Sequence, residues 1–418
     1  MKKLVLSLLV GASSFAAYAG GFQVVLQGVR QTSMGNVATA VPDAASMFFN
    51  PGAVAMLEGN VVSAGVSPII SRVSYLESEP YYSEAKTDNP VSLPFYLYAA
   101  FGFGPENANG VKRLKAGVGV FTPFGSTVKW EDGWAKQSYL RELSLRAIYI
   151  QPTVSFMLSD YIGIGAGLDV VVGSIDLKRG IPDPTTGNFA EVKFSGTTET
   201  ALGYNLGLFV KSPDGFSFGL NYRSKVTSEV KNGDVTFDLT GTSQTFQQNA
   251  NLQDTKFSSS LPLPAVLTLG FAYSNDKLTV ATDLRYTQWS DYKELKFEFQ
   301  DPIAGATRSV SKRKYKDALT LGIGAEYGVT DALKARIGAY YDFTPVPQGY
   351  MTAETPDANA LGLTAGLGYS LGKLNINAGF LFVNKEKRSQ LAASDANTIS
   401  GTFKTQAYIP SFGVSYNF

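Results

Sequence analysis

The sequence predicts an all-β protein: a fourteen-stranded antiparallel transmembrane β-barrel with an N-terminal hatch, meaning a plug folded inside the barrel lumen. From about residue 60 onward, apolar and polar residues alternate with a period of two, which is the pattern of half-buried strands. Short and long connections between these segments also alternate, which is typical of an outer-membrane barrel. Residues 20–59 are apolar but too irregular for a strand, and this predicts the hatch.

Residues 1–19 have the three parts of a secretory signal peptide. Lys2 and Lys3 are followed by the apolar run 4–10 and then by the small-residue pattern at 17–19. The mature chain is therefore predicted to begin at Gly20. Export together with a barrel predicts a location in the Gram-negative outer membrane.

The hatch is predicted over residues 20–59, ahead of a barrel over residues 60–418. The apolar stretch 46–49 runs directly into Asn50-Pro51-Gly52, which no strand or helix interior tolerates. Irregular backbone cannot face lipid, because its polar groups would be unpaired, but it is tolerated inside a barrel. The alternative is an ordinary turn that leads into the first strand.

The barrel strands follow from the alternation. The candidate strands lie near residues 60–76, 93–104, 114–124, 142–159, 161–178, 200–211, 215–230, 264–275, 277–300, 316–328, 331–344, 360–371, 373–386 and 405–418. Long connections are predicted at 77–92, 125–141, 179–199, 231–263, 301–315, 345–359 and 387–404. A soluble β-sandwich or propeller is the alternative, but many of these segments exceed the about 5–6 residues of soluble strands. One face of each is also nearly free of charge, which favours a membrane barrel.

Composition excludes several classes of function. The chain has no cysteine and no histidine, so histidine-based catalysis, thiolate chemistry and the commonest transition-metal ligands are unavailable. Lys and Arg number 36 against 35 Asp and Glu, without a basic block, and this argues against a nucleic-acid partner. The sequence therefore predicts no enzyme, no cofactor and no metal site. Hydrophilic porins, outer-membrane enzymes and surface receptors share the barrel fold, and these are the alternative functions.

Several short motifs occur in a fixed order along the mature chain. They are Gly21-Phe22-Gln23, Asp43-Ala44-Ala45 with Asn50-Pro51-Gly52, residues 118–125, residues 221–225, residues 261–264, residues 286–290, and residues 341–347 with 356–358. In this order and spacing they resemble the FadL family of outer-membrane transporters for long-chain fatty acids and other hydrophobic compounds. The resemblance covers essentially the whole mature chain, but the third hatch-motif position is Gly52, where the family usually has Ala.

The resemblance implies a mechanism. Substrate is caught in an apolar groove between extracellular loops, passes to a lumenal pocket touched by the hatch, and leaves sideways where strand three is kinked. Asn50, Pro51 and Gly52 are expected to lie against that kink. The implied substrate is a hydrophobic small molecule, most plausibly a long-chain fatty acid, with aromatic-hydrocarbon uptake as the alternative. The implied surroundings are outer-membrane lipid around a monomer.

Candidate site residues follow from the faces and from the resemblance. Gly117 and Gly119 are candidates for the kink, because glycine weakens strand pairing; simple packing is the alternative. Lumenal cations could bind a carboxylate, or could be neutralised by Asp283, Glu326 and Asp342. The groove residues could instead pack loop against loop, and Trp130 and Trp134 could anchor at the lipid headgroups. The lumenal candidates are Phe22, Met34, Met47, Phe48, Phe49, Arg223, Lys225, Arg285, Lys334 and Arg336, and the groove candidates are Phe189, Phe194, Phe246, Leu252 and Phe257.

Overall fold

A computed structural model describes residues 20–80, 82–391 and 393–418 of the chain, so the predicted signal peptide lies outside the described residues. No helix in these ranges is long and apolar enough to cross a membrane. Almost all of the described chain from residue 61 onward is strand or the connections between strands.

Three short helices lie ahead of the first strand: α1 (Val29–Thr32), α2 (Ser46–Phe49) and α3 (Pro51–Val54). Asn50 separates α2 from α3, and its side chain accepts a hydrogen bond from the Gly52 N–H, which caps the start of α3. Pro51 occupies the first turn of α3, where its missing N–H costs nothing. Asn50-Pro51-Gly52 is therefore a break between two helices and does not lead into the first strand.

The strands are numbered in chain order. The first eleven are β1 (Val61–Val66), β2 (Ile70–Leu76), β3 (Glu84–Lys86), β4 (Phe95–Glu106), β5 (Lys112–Lys129), β6 (Glu142–Ser159), β7 (Ile162–Pro182), β8 (Phe189–Thr197), β9 (Ala201–Lys211), β10 (Phe216–Arg223) and β11 (Val226–Asp238). After helix α4 (Gln244–Asn249) come β12 (Thr255–Leu263), β13 (Val266–Ser274), β14 (Leu278–Thr287), a 3-10 turn (Trp289–Asp291), β15 (Glu294–Ile303), β16 (Ala306–Lys312), β17 (Ala318–Gly328), β18 (Leu333–Asp342), β19 (Ala360–Leu371), β20 (Leu374–Lys385), β21 (Arg388–Gln390) and β22 (Gly401–Asn417).

Fourteen of these strands close into one antiparallel ring, so the predicted fold class is confirmed. β1 pairs with β4 on one side and with β22 on the other, which closes the barrel. The ring runs β1, β4, β5, β6, β7, β9, β10, β13, β14, β17, β18, β19, β20 and β22. Closure gives every ring strand two neighbours, although β5 pairs with β4 only as far as Phe121 and with β6 as far as Lys129.

A second tier of sheet stands above the ring on the side of the long connections, which is extracellular in outer-membrane barrels. This collar consists of β8, β11, β12, β15 and β16, joined to the ring through β7. Three connections predicted as long loops, 179–199, 231–263 and 301–315, therefore contain strands. A bulge between Val230 and Gly233 adds one residue to β11 and exchanges the two faces of the strand at that point. A search for strict alternation therefore does not detect the second half of β11.

The outer face of the ring is apolar and carries aromatic residues toward both rims. Leu202, Ile323 and Ile337 are each more than half exposed, as expected for side chains that face lipid. Exposed rings near the short turns are Tyr161, Phe216, Tyr273, Tyr327, Tyr369 and Tyr416, and those toward the extracellular rim are Tyr204, Tyr286 and Tyr408. These two girdles mark where the membrane interfaces fall.

Residues 26–56 are mostly buried against the inner wall, as a hatch requires. The wall accommodates the hatch backbone at glycines. A Cβ on Gly207 would lie 2.2 Å from Asn50 Oδ1, and one on Gly324 would lie 2.1 Å from the Met34 carbonyl oxygen. Only a residue without a side chain permits so close an approach.

Candidate functional site

The third strand of the ring, β5, is irregular at Thr122 and Pro123. Its pairing with β6 shifts register between Phe121 and Phe124, so β5 has one extra residue there. Pro123 cannot donate to a ladder, which is why pairing breaks at this point. Gly117 and Gly119, which were the candidates for the kink, keep regular pairing with both neighbouring strands. Pro123 was therefore a better indicator of the kink than either glycine.

The N-terminal end of the hatch meets this bulge. Val24 N–H donates to the Pro123 carbonyl at 2.8 Å, and Gly125 N–H donates to the Phe22 carbonyl at 3.0 Å. Gln27 Nε2 donates to the Thr122 carbonyl at 3.0 Å and to the Val24 carbonyl at 2.9 Å. The hatch thus completes the edge of β5 where the barrel wall does not.

Asn50-Pro51-Gly52 lies elsewhere, so the expectation that it contacts strand three is wrong. Asn50 Nδ2 donates to the Leu208 carbonyl of β9 at 3.0 Å, and Ser155 Oγ of β6 donates to the Pro51 carbonyl at 2.7 Å. The backbone of Gly52 lies against Gly207 and Gly163, on β9 and β7. The motif fastens the hatch to the wall on the other side of β6 from the bulge.

Helix α2 is fixed by a buried charged group on the wall. Arg223 Nη1 contacts both carboxylate oxygens of Asp169 at 2.6 Å, and Arg223 Nη2 donates to the Phe48 carbonyl at 3.0 Å. The guanidinium lies 4.7 Å from the Phe48 ring centroid, a cation–π contact. Gln151 Nε2 donates to the Met47 carbonyl at 2.7 Å. Arg223, a candidate for binding a substrate carboxylate, is thus already paired with Asp169 and holds the hatch through Phe48.

The other predicted lumenal cations are also engaged. Arg336 Nε donates to Glu326 at 2.6 Å, and the hatch residue Arg30 reaches the same carboxylate at 2.8 Å, with Lys334 at 3.5 Å. Arg285 Nη2 donates to the Asn36 carbonyl of the hatch at 3.3 Å. Lys225 pairs with Asp291 at 3.3 Å. These contacts agree with the alternative that most lumenal cations are neutralised or hold the hatch.

Asp283 is a second carboxylate of the wall that holds the hatch, because its Oδ2 atom accepts the N–H groups of Ala38 and Thr39 at 2.9 and 3.1 Å. Asp342 instead bonds within the wall, where it accepts a hydrogen bond from Thr320 Oγ1 at 2.7 Å. The apolar hatch candidates Met34, Met47, Phe48 and Phe49 are buried in the packing between hatch and wall.

Phe22 of the hatch borders an apolar pocket on the extracellular side. Its ring packs edge-on against Trp289 and Tyr292, with ring centroids 4.9 and 5.7 Å apart, and lies 6.1 Å from Phe124 beside the bulge. Above Phe22 is a narrow slot with a volume of about 60 Å³. Its apolar lining is Leu143, Leu145, Ala147, Ile175, Leu177, Val230, Leu261, Leu263 and Leu295.

One end of the slot is charged. Arg313 and Glu354 line it, and Arg313 is only 2% exposed. Arg313 Nη1 donates to Thr352 Oγ1 at 2.9 Å and lies 3.7 Å from Glu354 Oε2, while Arg179 Nη2 holds the other Glu354 oxygen at 2.7 Å. Among the described residues, the buried Nε atoms of Arg313 and Arg179 have no hydrogen-bond partner. Two guanidinium groups around one carboxylate leave an excess of positive charge at the slot.

Burial by itself raises the pKa of the Glu354 carboxyl, but the neighbouring Arg313 and Arg179 guanidinium groups outweigh burial and place the pKa below its ordinary value. Glu354 is therefore ionised at neutral pH. The reasoning from sequence missed Arg313, because this residue lies in the connection 301–315, which the alternation pattern predicts as a loop. An arginine amid the residues that follow a collar strand offers no periodic signal of its own.

The predicted capture-groove residues divide into two groups. Phe194 and Phe257 are buried and their rings pack on each other at 5.6 Å, with Phe297 at 5.1 and 5.4 Å. They form the interior of the collar, in agreement with the alternative of packing within the loops. Phe189, Phe246 and Leu252 are half-buried near the top of the collar. A groove role remains a prediction for these three.

Trp130 and Trp134 do not face lipid headgroups, so the expected anchoring is wrong. The two rings stack at 4.1 Å and are 2% and 4% exposed. Tyr75 and Phe403 pack on the Trp130 ring at 6.1 and 6.4 Å. Trp130 Nε1 donates to the Ala353 carbonyl at 3.3 Å, which fixes the segment that carries Glu354.

Replacing Gln27 by leucine is expected to loosen the hatch segment 20–27 while the barrel stays folded. The change removes the amide that joins the Thr122 and Val24 carbonyls, and leaving such buried groups unpaired costs about 1–3 kcal/mol. Amide hydrogen exchange at Val24 reports the loss. Gln23→Leu is the matched control, because that amide has only a 3.4 Å contact with Thr287. Equal exchange in both variants would show that Gln27 does not hold the segment.

Comparison with known proteins identifies the family. The profile of the outer membrane protein transport protein family (OMPP1/FadL/TodX) matches residues 10–418. The chain belongs to this family. The resemblance drawn from the sequence motifs is confirmed, and as a member of the OMPP1/FadL/TodX family the protein is an outer-membrane transport protein and not an enzyme.

Individual relatives and solved structures agree with this family. The chain is 22% identical over 451 residues to the long-chain fatty acid transport protein of Escherichia coli, covering 100% of this chain and 98% of the relative. It is 23% identical over 475 residues to outer membrane protein P1 of Haemophilus influenzae, covering 100% of both. A Pseudomonas aeruginosa FadL homologue matches with a TM-score of 0.81 at 18% identity, covering 96% of this chain and 100% of that one. The Pseudomonas putida toluene transporter TodX matches with a TM-score of 0.72 at 18% identity, covering 95% and 99%.

Proposed function

We propose that the protein admits long-chain fatty acids through the outer membrane by passive diffusion, with lateral exit from the barrel into lipid. The observation that supports this most directly is the apolar slot that has Phe22 of the hatch at its base and the buried Arg313 at its charged end. An acyl chain matches the leucine-rich walls, and a carboxylate matches a guanidinium with an unpartnered Nε atom.

The proposed route runs from the slot past Phe22 to the bulge in β5. Phe22 and Phe124 are in contact, and Phe22 and Val24 complete the hydrogen bonding of β5 at the bulge. A displacement of this hatch segment would therefore expose the wall at its weakest point. Exit into lipid is favoured over exit into the periplasm, because each CH₂ group regains about 0.8 kcal/mol in an apolar medium.

Uptake of aromatic hydrocarbons is the second candidate. Phe22, Phe124, Trp289 and Tyr292 form a packed aromatic cluster at the base of the slot. A small ring in the slot could pack on Phe22 and Tyr292, which line it. The toluene transporter TodX shares the fold, and the fatty acid transport protein of Escherichia coli is related over the full length. The charged end of the slot favours the fatty acid, because toluene offers nothing to pair with Arg313.

A hydrophilic porin is less consistent with the interior. The hatch is bonded to β6, β9, β10, β14 and β17 and packs closely on β7, and most of its side chains are buried against the wall. A receptor role of the extracellular collar is compatible with transport, but no contact among the described residues favours it. We take the protein to act as a monomer in outer-membrane lipid, since the closed ring needs no second copy.

Replacing Arg313 by methionine is expected to lower oleate uptake about tenfold and to leave toluene uptake unchanged, since a hydrogen bond to a charged group contributes about 1.5–3 kcal/mol. Uptake of both labelled compounds is measured in a Gram-negative host that lacks its own fatty-acid transporter. Arg308→Met is the control, because Arg308 lies exposed on β16. Uptake of toluene but not of oleate by the unmodified protein would support the hydrocarbon alternative. If neither compound enters while small sugars pass, the transporter proposal is wrong.

A further inference from the structure

The barrel wall lacks a strand beside the upper part of β5. β4 begins at Phe95, and its pairing with β5 begins at the level of Tyr96 and Phe121. Above that level β5 continues to Lys129 and β2 runs from Ile70 to Leu76. β3 pairs with β2, and the chain just after β3 reaches only the top of β5, where Asp88 N–H donates to the Lys129 carbonyl at 2.8 Å. Between that level and β4, no regular strand lies between β2 and β5 among the described residues, and this stretch of the wall is the gap.

Residues 89–94, which we call the shutter, cover this gap from outside. Their hydrogen bonds lie mainly on the side of β1 and β2. Ile69 N–H donates to the Ser92 carbonyl at 2.8 Å, and Ser92 N–H returns a bond to Ile69 at 3.3 Å. Ser67 N–H donates to the Pro94 carbonyl at 2.9 Å, and Asn89 Nδ2 donates to Ser71 Oγ at 2.9 Å.

The side of the shutter that faces β5 is held only near its ends. Lys129 N–H donates to Asn89 Oδ1 at 2.8 Å, and just past the shutter Phe95 N–H donates to Thr122 Oγ1 at 3.3 Å. Between these points, no hydrogen bond joins residues 90–94 to β5 in the part of the chain that the structure describes. Pro90 and Pro94 have no N–H group, so the segment cannot form a regular ladder.

The gap has the hatch on its inner side and an apolar face on its outer side. The hatch residues Phe22 and Val24 bond to β5 on the lumenal side of the bulge. On the shutter, Val91 is 53% and Leu93 is 61% exposed, and neighbouring Ile70 of β2 is 41% exposed. These side chains give the outer face of the gap the character of the lipid-facing wall.

We propose that the shutter is the moving outer wall of the lateral exit, and that substrate leaves between the shutter and β5. The shutter separates from β5 by losing its two end contacts, whereas its bonds to Ser67, Ile69 and Ser71 remain and act as the hinge side. This inference rests on the proposed function. It adds that residues 89–94 move, in addition to the hatch.

Disulfide staples test the motion directly, because the chain has no cysteine of its own. One variant combines Asn89→Cys with Lys129→Cys and a second combines Phe95→Cys with Thr122→Cys, so that each joins one end of the gap to β5. The control joins Val62→Cys to Tyr416→Cys, which are paired across the closed β1–β22 seam. Oleate uptake is measured in cells after oxidation and again after reduction by dithiothreitol.

A third variant carries both disulfides, and we expect its oxidation to lower oleate uptake to the level of cells without the protein. Reduction restores uptake, and uptake by the control variant changes under neither treatment. Oleate binding by the purified stapled protein is unchanged, which shows that it is folded and that only exit is blocked. Undiminished oleate uptake by the oxidised variant would overturn the proposal that the shutter moves. Absence of uptake by the unmodified protein would instead overturn the proposed function.

Discussion

Substituting valine for Gly207 displaces the hatch and leaves the lumen open, which we expect to be among the largest single-residue effects in this chain. A Cβ at this position would lie 2.2 Å from Asn50 Oδ1, 2.6 Å from the Gly52 nitrogen and 2.7 Å from Pro51 Cδ. The last two of these atoms belong to the backbone and the proline ring of α3, so a rotation of the Asn50 side chain alone does not relieve the clash. Valine itself suits a strand, and the ring should therefore still close.

Conductance in planar bilayers checks this expectation, together with the sensitivity of cells to a hydrophilic antibiotic that is too large for ordinary porins. Gly207→Val should raise both and abolish selective oleate uptake. The matched control is Gly328→Val, because the nearest atom to a Cβ there lies 3.7 Å away, an ordinary contact distance. Equally low conductance in the two variants would show that the close contact at Gly207 does not position the hatch.

The barrel was predictable because each ring strand repeats the same two-residue pattern, and because lipid demands an uncharged outer face. β18 has this pattern throughout, and β22 has it from Tyr408 to its end. The collar was not predictable in the same way. The bulge in β11 reverses its faces, and above the membrane the outward positions carry charged pairs such as Asp234 and Lys256 in place of apolar residues.

The presence of the hatch was predictable from irregular apolar sequence, but its contacts were not. Asn50 and Gln27 are both polar residues in an apolar segment, and sequence does not tell which of them reaches β5. The partner of Asn50 is a backbone carbonyl on β9, 158 residues later in the chain. Arg223 could be placed on the lumenal face, yet its pairing with Asp169 depends on the register of β7, β9 and β10, which one sequence does not specify.

Removing Asp169 alone is expected to destabilise the protein by about 3–5 kcal/mol, because Arg223 would stay buried without a counter-charge. The two side chains are 0% and 4% exposed, so water cannot replace the carboxylate. Asp169→Leu keeps the approximate volume. The free energy of unfolding is measured by urea denaturation in detergent micelles or lipid vesicles, with the exposed pair as reference: Lys256→Met should cost less than about 1 kcal/mol, since Asp234 and Lys256 are half exposed.

The double variant Asp169→Leu/Arg223→Met separates the two roles of this pair. If Asp169 serves only to neutralise Arg223, the double variant regains most of the lost stability, because no buried charge remains. Arg223 Nη2 also bonds the Phe48 carbonyl, however, and its guanidinium packs on the Phe48 ring. The double variant should therefore recover barrel stability while α2 exchanges its amide hydrogens faster than in the unmodified protein. Full recovery of both would mean that the ion pair stabilises the wall alone and that the hatch is held elsewhere.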